Sequence, residues 1–308
     1  MWSIAPFPAL LRGAPFPALL RVGVAKVRGM SLPDVVTEAG RAGVAALLAD
    51  PSRAVLALDF DGTLAPIVPD PRDARAHPRA LPALARLAPR LGGIAVITGR
   101  PAADAVRYGG FEGASGLEGL TVLGAYGAER WDAADGAVRA PEPPPGVAAV
   151  RAELPSLLER LGAPEGTWTE DKGRAVAVHT RRTASPEAAF ALLREPLYAL
   201  AERHGLMVEP GRLVLELRPP GADKGSALRG FVRERGAGVV AYGGDDLGDV
   251  AAYDAVEALR GEGVPGLLLY AAPDAAAERV PELTFRADVT VPGPAGLMAF
   301  LTELAERL

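Results

Sequence analysis

Asp59 and Asp61, in the run Asp59-Phe60-Asp61-Gly62-Thr63-Leu64, are two carboxylates spaced to share one side of an extended chain. They follow the apolar stretch Ala54-Val55-Leu56-Ala57-Leu58, which reads as a buried strand. Both acids therefore leave the sheet at its carboxyl end, where open α/β sheets place their ligands. Carboxylates this close repel each other unless a cation or a shared proton compensates, and Mg²⁺, which takes oxygen ligands, is the simplest remedy. Gly62 can adopt the positive φ of a tight turn, and Thr63 offers a hydroxyl where a bound anion would need one. The competing reading is an ordinary polar turn, because Asp, Gly and Thr are common turn residues.

Three later segments weigh against that plain reading. Ile94-Ala95-Val96-Ile97 runs into Thr98-Gly99-Arg100, a second buried strand ending in a hydroxyl, a glycine and a cation. Asp223-Lys224-Gly225 opens a helical segment with a cation in its first turn. Val239-Val240-Ala241-Tyr242 leads into Gly243-Gly244-Asp245-Asp246-Leu247-Gly248-Asp249, a third strand whose end is crowded with acids. In this order, the carboxylate pair, hydroxyl, lysine and acidic cluster resemble the haloacid dehalogenase superfamily of aspartate-dependent phosphohydrolases.

The resemblance narrows outside those four segments. Leu64-Ala65-Pro66-Ile67, Glu170-Asp171-Lys172-Gly173 with Ala175 to His179, Leu215-Glu216-Leu217-Arg218-Pro219, and Gly244-Asp245-Asp246 are similar to trehalose-6-phosphate phosphatases. It covers roughly residues 50 to 300. One departure is visible: Gly124-Ala125-Tyr126-Gly127 stands where a Gly-x-His-Gly turn is expected. The resemblance implies Mg²⁺-dependent hydrolysis of trehalose 6-phosphate, in the cytoplasm, with a trehalose-phosphate synthase as a conceivable partner. A phosphatase of another sugar phosphate and a catalytically silent regulator are the alternatives.

On that reading Asp59 is the candidate nucleophile, since a carboxylate can attack phosphorus and form an aspartyl-phosphate that water hydrolyses. Asp61 is then the acid and afterwards the base. Asp59, a backbone carbonyl at position 61, and Asp245 are the candidate metal ligands. Thr98 and Lys224 hold phosphate oxygens, because phosphoryl transfer depends chiefly on positioning and charge. A solvated helix lysine is the bland alternative for Lys224. Gly99 and Arg100 are candidate substrate contacts, although Arg100 equally suits a helix cap. Asp246 and Asp249 read either as residues supporting the site or as further metal ligands. Glu170, Lys172 and Glu216 are assigned to sugar hydroxyls, with Leu213, Leu215 and Leu217 facing inward and Glu216 and Arg218 opposite. His179 and Arg181 fit a solvated strand face as well as a substrate contact.

The elements that must position these groups follow from periodicity. An entry helix is expected from Leu32 to Leu48, strands ending at Leu58, Ile97 and Leu123, and helices over His77 to Leu91 and Pro101 to Tyr108. This alternation predicts an α/β fold, a doubly wound parallel sheet of haloacid dehalogenase type. The pattern breaks after Gly127, and a proline-rich stretch, Ala140 to Gly146, leads into an α+β segment. Here Val147 to Leu161 reads as a helix and Ala175 to Thr180 and Leu213 to Leu217 as strands; Ser185-Pro186 starts a further helix that Gly205 closes. The expected organisation is a core over residues 31–126 and 221–308, an inserted cap over 127–220, and a disordered extension over 1–30. That extension repeats Ala-Pro-Phe-Pro-Ala-Leu-Leu-Arg at Ala5 and Ala14.

Composition bounds the remaining classes. The 308 residues carry a formal charge of −5, which gives no field for nucleic acid or an anionic membrane. Cysteine is absent, so disulfides and thiol catalysis are excluded. No continuous apolar run is long enough to span a membrane.

Overall fold

The computed structural model describes residues 34–275 and 278–308. The expected extension over residues 1–30 lies outside them. β1 (Ala54–Leu58), β2 (Gly93–Ile97) and β3 (Leu120–Gly124) lie side by side in parallel, and β10 (Val239–Gly244), β11 (Gly266–Ala272) and β12 (Val289–Pro292) continue the sheet from the other edge of β1. The strand order reverses between β1 and β10, the kind of switch point that leaves a crevice at the strand ends.

Every residue of β1, β2, β3, β10 and β11 is buried, as expected for parallel strands covered on both faces. Leu56 and Leu58 pack with Leu47, Leu84 and Leu301 from α1 (Glu38–Ala49), α2 (Ala80–Leu87) and α9 (Gly293–Arg307). Val55 and Ala57 face the other way, toward Leu228, Phe231 and Tyr253 of α6 (Lys224–Glu234) and α7 (Val250–Gly261). The period-two alternation of one strand thus feeds two separate cores, the doubly wound arrangement.

Element limits moved for local reasons. α1 begins at Glu38 because the Thr37 side chain accepts the Gly40 N–H, 2.9 Å away, and caps it. α2 is shorter than His77 to Leu91 because Pro78 and Pro89 flank it. α3 (Ala102–Gly109) matches expectation within one residue. Beyond β3 the large sheet continues: β4 (Glu129–Asp132) and β5 (Val138–Arg139) pair antiparallel at its edge, giving eight strands. The chain therefore stays in the core sheet through Arg139, past Tyr126, where the sequence reading ended the first core segment.

A second sheet of four antiparallel strands runs β6 (Trp168–Asp171), β7 (Val176–His179), β9 (Val214–Arg218), β8 (Met207–Gly211). Its apolar face, Val176, Val178, Leu215 and Leu217, packs on Val150 and Leu154 of α4 (Pro145–Arg160) and on Leu193 and Leu197 of α5 (Pro186–Arg203). Ser185 precedes α5 but makes no capping hydrogen bond with its side chain. Leu213 does not belong to β9; it takes φ 56° in the β8–β9 turn, where its carbonyl accepts the Thr180 N–H.

Candidate active site

The carboxyl end of β1 delivers Asp59, whose N–H bonds the Gly243 carbonyl of β10 at 2.9 Å. This ties the two strands at the switch point. Gly62 turns the chain at φ 83°, and a Cβ there would lie 1.9 Å from the Asp245 carboxylate, so only glycine lets the Asp59 loop meet the end of β10. Lys224 opens α6, where the helix dipole disfavours a cation. It is held there by two carboxylates: its ammonium donates to Asp59 and to Asp249, each at 2.7 Å, and all three side chains are buried. Asp223 and Ser226 form the capping box that fixes this helix start.

Asp249 is fully bonded. One oxygen accepts Lys224 and, at 2.5 Å, the Tyr242 hydroxyl; the other accepts the Asp245 and Asp246 N–H groups at 2.8 and 3.1 Å. Asp246 caps the turn over Leu247–Asp249 by accepting the Gly248 N–H. Burial, Asp246 and Asp59 push Asp245 well above the usual carboxylate range. Burial likewise raises Asp59, against the pull of Lys224 and with Asp249 and Asp246 adding repulsion. Burial disfavours the charged lysine, but Asp249 and Asp59 outweigh it and hold Lys224 protonated. Four carboxylates, Asp59, Asp245, Asp246 and Asp249, thus crowd around a single ammonium.

That excess of negative charge is the observation that fits a divalent cation. Carboxylate oxygens of Asp59, Asp245 and Asp249 lie within 4.8 Å of one another, a hard, all-oxygen donor set suited to Mg²⁺. The four hydrogen bonds already made by Asp249 use up its acceptor positions, which leaves Asp59 and Asp245 as the carboxylates with lone pairs to offer. The Asp61 side chain stands apart from this cluster. The Arg100 guanidinium grips it in a two-pronged ion pair, both contacts at 2.6 Å. Arg100 also lies over the rings of Phe60 and Tyr108, so it reaches across to Asp61 rather than capping a helix.

Thr98 is 1% exposed; its hydroxyl accepts the Arg100 N–H at 3.1 Å and keeps its proton to donate. The loop it begins is braced by Glu129, which accepts the Ala102 N–H at the start of α3. From the cap, the polar face of the second sheet presents Glu170, His179 and Glu216, with Lys172 just beyond β6. This face is not solvated: Glu216 and Arg218 are 4% exposed. Lys172 pairs with Glu216, and Glu170 with His179 at 2.9 Å. His179 in turn stacks on Trp168, ring centroids 3.9 Å apart. Burial lowers Lys172, but Glu216 and Glu170 overcome it and hold the amine charged.

Asp59, Asp61, Thr98, Gly99, Arg100, Lys224, Asp245 and Asp246 line one cavity of about 360 Å³ together with Glu170, Lys172 and Glu216. That volume lies in the range of small-molecule sites, roughly 300–1,000 Å³. Asp249 sits behind the wall and meets the cavity through groups that line it, Lys224 and the backbone of Asp245 and Asp246. His179 and Arg181 also line it, as do Trp168 and Tyr126, which the sequence reading did not assign. Trp168 had a signal: it lies two residues before Glu170, on the same strand face.

An eight-stranded sheet with acids at its switch point under a small α+β cap defines a haloacid dehalogenase-like hydrolase fold. Solved structures agree: the C-terminal domain of a Candida albicans trehalose-6-phosphate phosphatase superposes with TM-score 0.69 at 18% identity, over 90% of this chain and 99% of that one. A haloacid dehalogenase-like hydrolase from Bacteroides thetaiotaomicron superposes at 0.54 with 16% identity, over 81% and 98%. The family model described as Trehalose-phosphatase matches residues 57–273, and the chain belongs to that family. The trehalose-phosphate phosphatase of Mycolicibacterium paratuberculosis is 34% identical over 257 residues, covering 81% of this chain and 61% of that protein. The Mycobacterium marinum protein of the same name is 35% identical over 232 residues, covering 73% and 56%. The chain thus spans less than two thirds of the length of these curated relatives.

Proposed function

We propose that the protein hydrolyses trehalose 6-phosphate to trehalose and phosphate through an aspartyl-phosphate. The observation that carries this reading is the single cavity joining Asp59, Asp61, Thr98 and Lys224 to the cap groups Glu170, Lys172 and Glu216. In the first step an Asp59 oxygen attacks phosphorus and the bond from phosphorus to the sugar oxygen breaks. Asp61 gives its proton to that leaving oxygen. In the second step Asp61, now a carboxylate, takes a proton from the water that attacks the aspartyl-phosphate, which frees Asp59 and releases phosphate. Lys224 and Thr98 hold the phosphoryl oxygens throughout. Arg100 must release Asp61, which then takes up a proton from solvent, before the first transfer, and an entering phosphate dianion competes for its guanidinium. Asp59, Asp245 and the carbonyl of residue 61 would hold Mg²⁺, which would neutralise charge between the phosphate and these acids.

The fold by itself does not select this reading. The C-terminal domain of a Candida albicans trehalose synthase regulatory protein superposes with TM-score 0.61 at 14% identity. What favours catalysis over a regulatory role is that Asp59, Asp61, Thr98, Lys224, Asp245 and Asp246 all line one cavity. A phosphate-release screen over sugar phosphates, run with and without Mg²⁺, tests it. Trehalose 6-phosphate should be the preferred substrate, chelation should abolish turnover, and Asp59→Asn should be folded and inactive. Turnover by Asp59→Asn at the wild-type rate would remove the mechanism.

A further inference from the structure

Tyr126 stands in the turn where a histidine is expected, and the chemistry above gives it no task. Ala125 and Tyr126 both hold positive φ, 46° and 59°, a left-handed backbone that is unfavourable for a non-glycine residue. The phosphate loop maintains it: the Ala125 N–H donates to the Arg100 carbonyl at 2.7 Å and the Tyr126 N–H to the Thr98 carbonyl at 2.9 Å. The ring is then fixed from two sides. A Cβ at Gly99 would lie 2.8 Å from both Cζ and the hydroxyl of Tyr126, so the loop needs glycine there to admit the ring. From the cap, the Arg218 guanidinium lies 4.4 Å from the ring centroid. Arg218 is itself anchored by Glu209 and by the Ala222 carbonyl.

The hydroxyl at the end of this clamped ring makes no hydrogen bond among the described residues, yet Tyr126 lines the cavity with Thr98, Glu216 and Lys224. Burial, with Glu216 adding to it, pushes the phenol well above its ordinary value, so it remains a donor. Charged and hydroxyl groups already serve the phosphate oxygens. Tyr126 stands where the phosphate loop meets the cap.

We propose that Tyr126 is a specificity-determining residue whose hydroxyl hydrogen-bonds the sugar of a sugar phosphate at this seam. The inference rests on the sugar-phosphatase reading and adds a contact that reading does not require. Tyr126→Phe keeps the ring, the Gly99 contact and the Arg218 stack, and removes only the hydroxyl. For wild type and variant, kcat/KM is measured on trehalose 6-phosphate and on 4-nitrophenyl phosphate, which has no sugar, along with Tm. The ratio of the two values should fall roughly three- to tenfold in the variant, the size of one neutral hydrogen bond, with Tm unchanged. An unaltered ratio, whether because neither rate changes or because both fall together, overturns the proposal. If wild type hydrolyses the aryl phosphate but not trehalose 6-phosphate, the substrate reading fails separately. The ratio is then taken with the best sugar phosphate of the screen, and its fall or constancy decides the role of Tyr126.

Discussion

Asp249 accepts hydrogen bonds from four different groups and offers none of its own space to a ligand. Its part is to orient Lys224 toward Asp59 and to pin the backbone from which Asp245 projects. Position alone gave it no rank among the acids after β10; the lone-pair count in the folded chain does. Asp249→Asn would put an amide N–H₂ against donors on at least one side. It should lose at least about 3 kcal/mol of stability, the cost of breaking a buried ion pair, and most of its turnover. Chemical denaturation and phosphate release measure the two effects. A variant as stable and active as wild type would mean that Asp249 does not organise the site. Asp61 carries the opposite lesson. Its neighbour in sequence is Asp59, the proposed nucleophile, but its partner in space is Arg100, 39 residues on, and no spacing rule finds such a pair.

Strand β9 shows what an element adds to its residues. The alternation of Leu215 and Leu217 with Glu216 and Arg218 was readable, because the pleat sends successive side chains to opposite faces. That the polar face would be closed off was not, since closure depends on the core lying across it. Glu216 is thus a buried carboxylate that pairs with Lys172 and lines the cavity. Glu216→Gln preserves shape and an acceptor for Lys172 while removing the charge. Its kcat/KM on trehalose 6-phosphate should fall by about 10- to 1000-fold, as expected for one to a few charged hydrogen bonds. The selectivity for the sugar phosphate over an aryl phosphate should fall with it. A loss of the same size on both substrates would assign Glu216 to the fold or the core chemistry instead.

Across the whole molecule, core and cap are tied at the cavity rim by partly exposed ion pairs, Arg182 with Asp70 at 3.0 Å and Arg212 with Glu278. Such pairs contribute about 0–1 kcal/mol each, weak enough to open when a substrate enters. The compact unit from Leu32 to Leu308 contains every residue assigned to the site. A chain starting at Met30 should therefore match the full chain in Tm and in phosphate release. A large loss of either would show that residues before Met30 support the fold or the site.

The sequence by itself determined the strands that carry Asp59, Thr98 and Asp245, the helix start that carries Lys224, and the two-faced pattern of the cap strands. These are local: each follows from a run of apolar residues, a capping residue or a period of two. Tertiary structure decided which acids keep free lone pairs, that Arg100 pairs with Asp61, that the large sheet continues through β5, and that Tyr126 is clamped between Gly99 and Arg218. Each of those depends on groups far apart in the chain meeting at the β1–β10 switch point or across the cavity, where burial and charge are set by neighbours that no local pattern specifies.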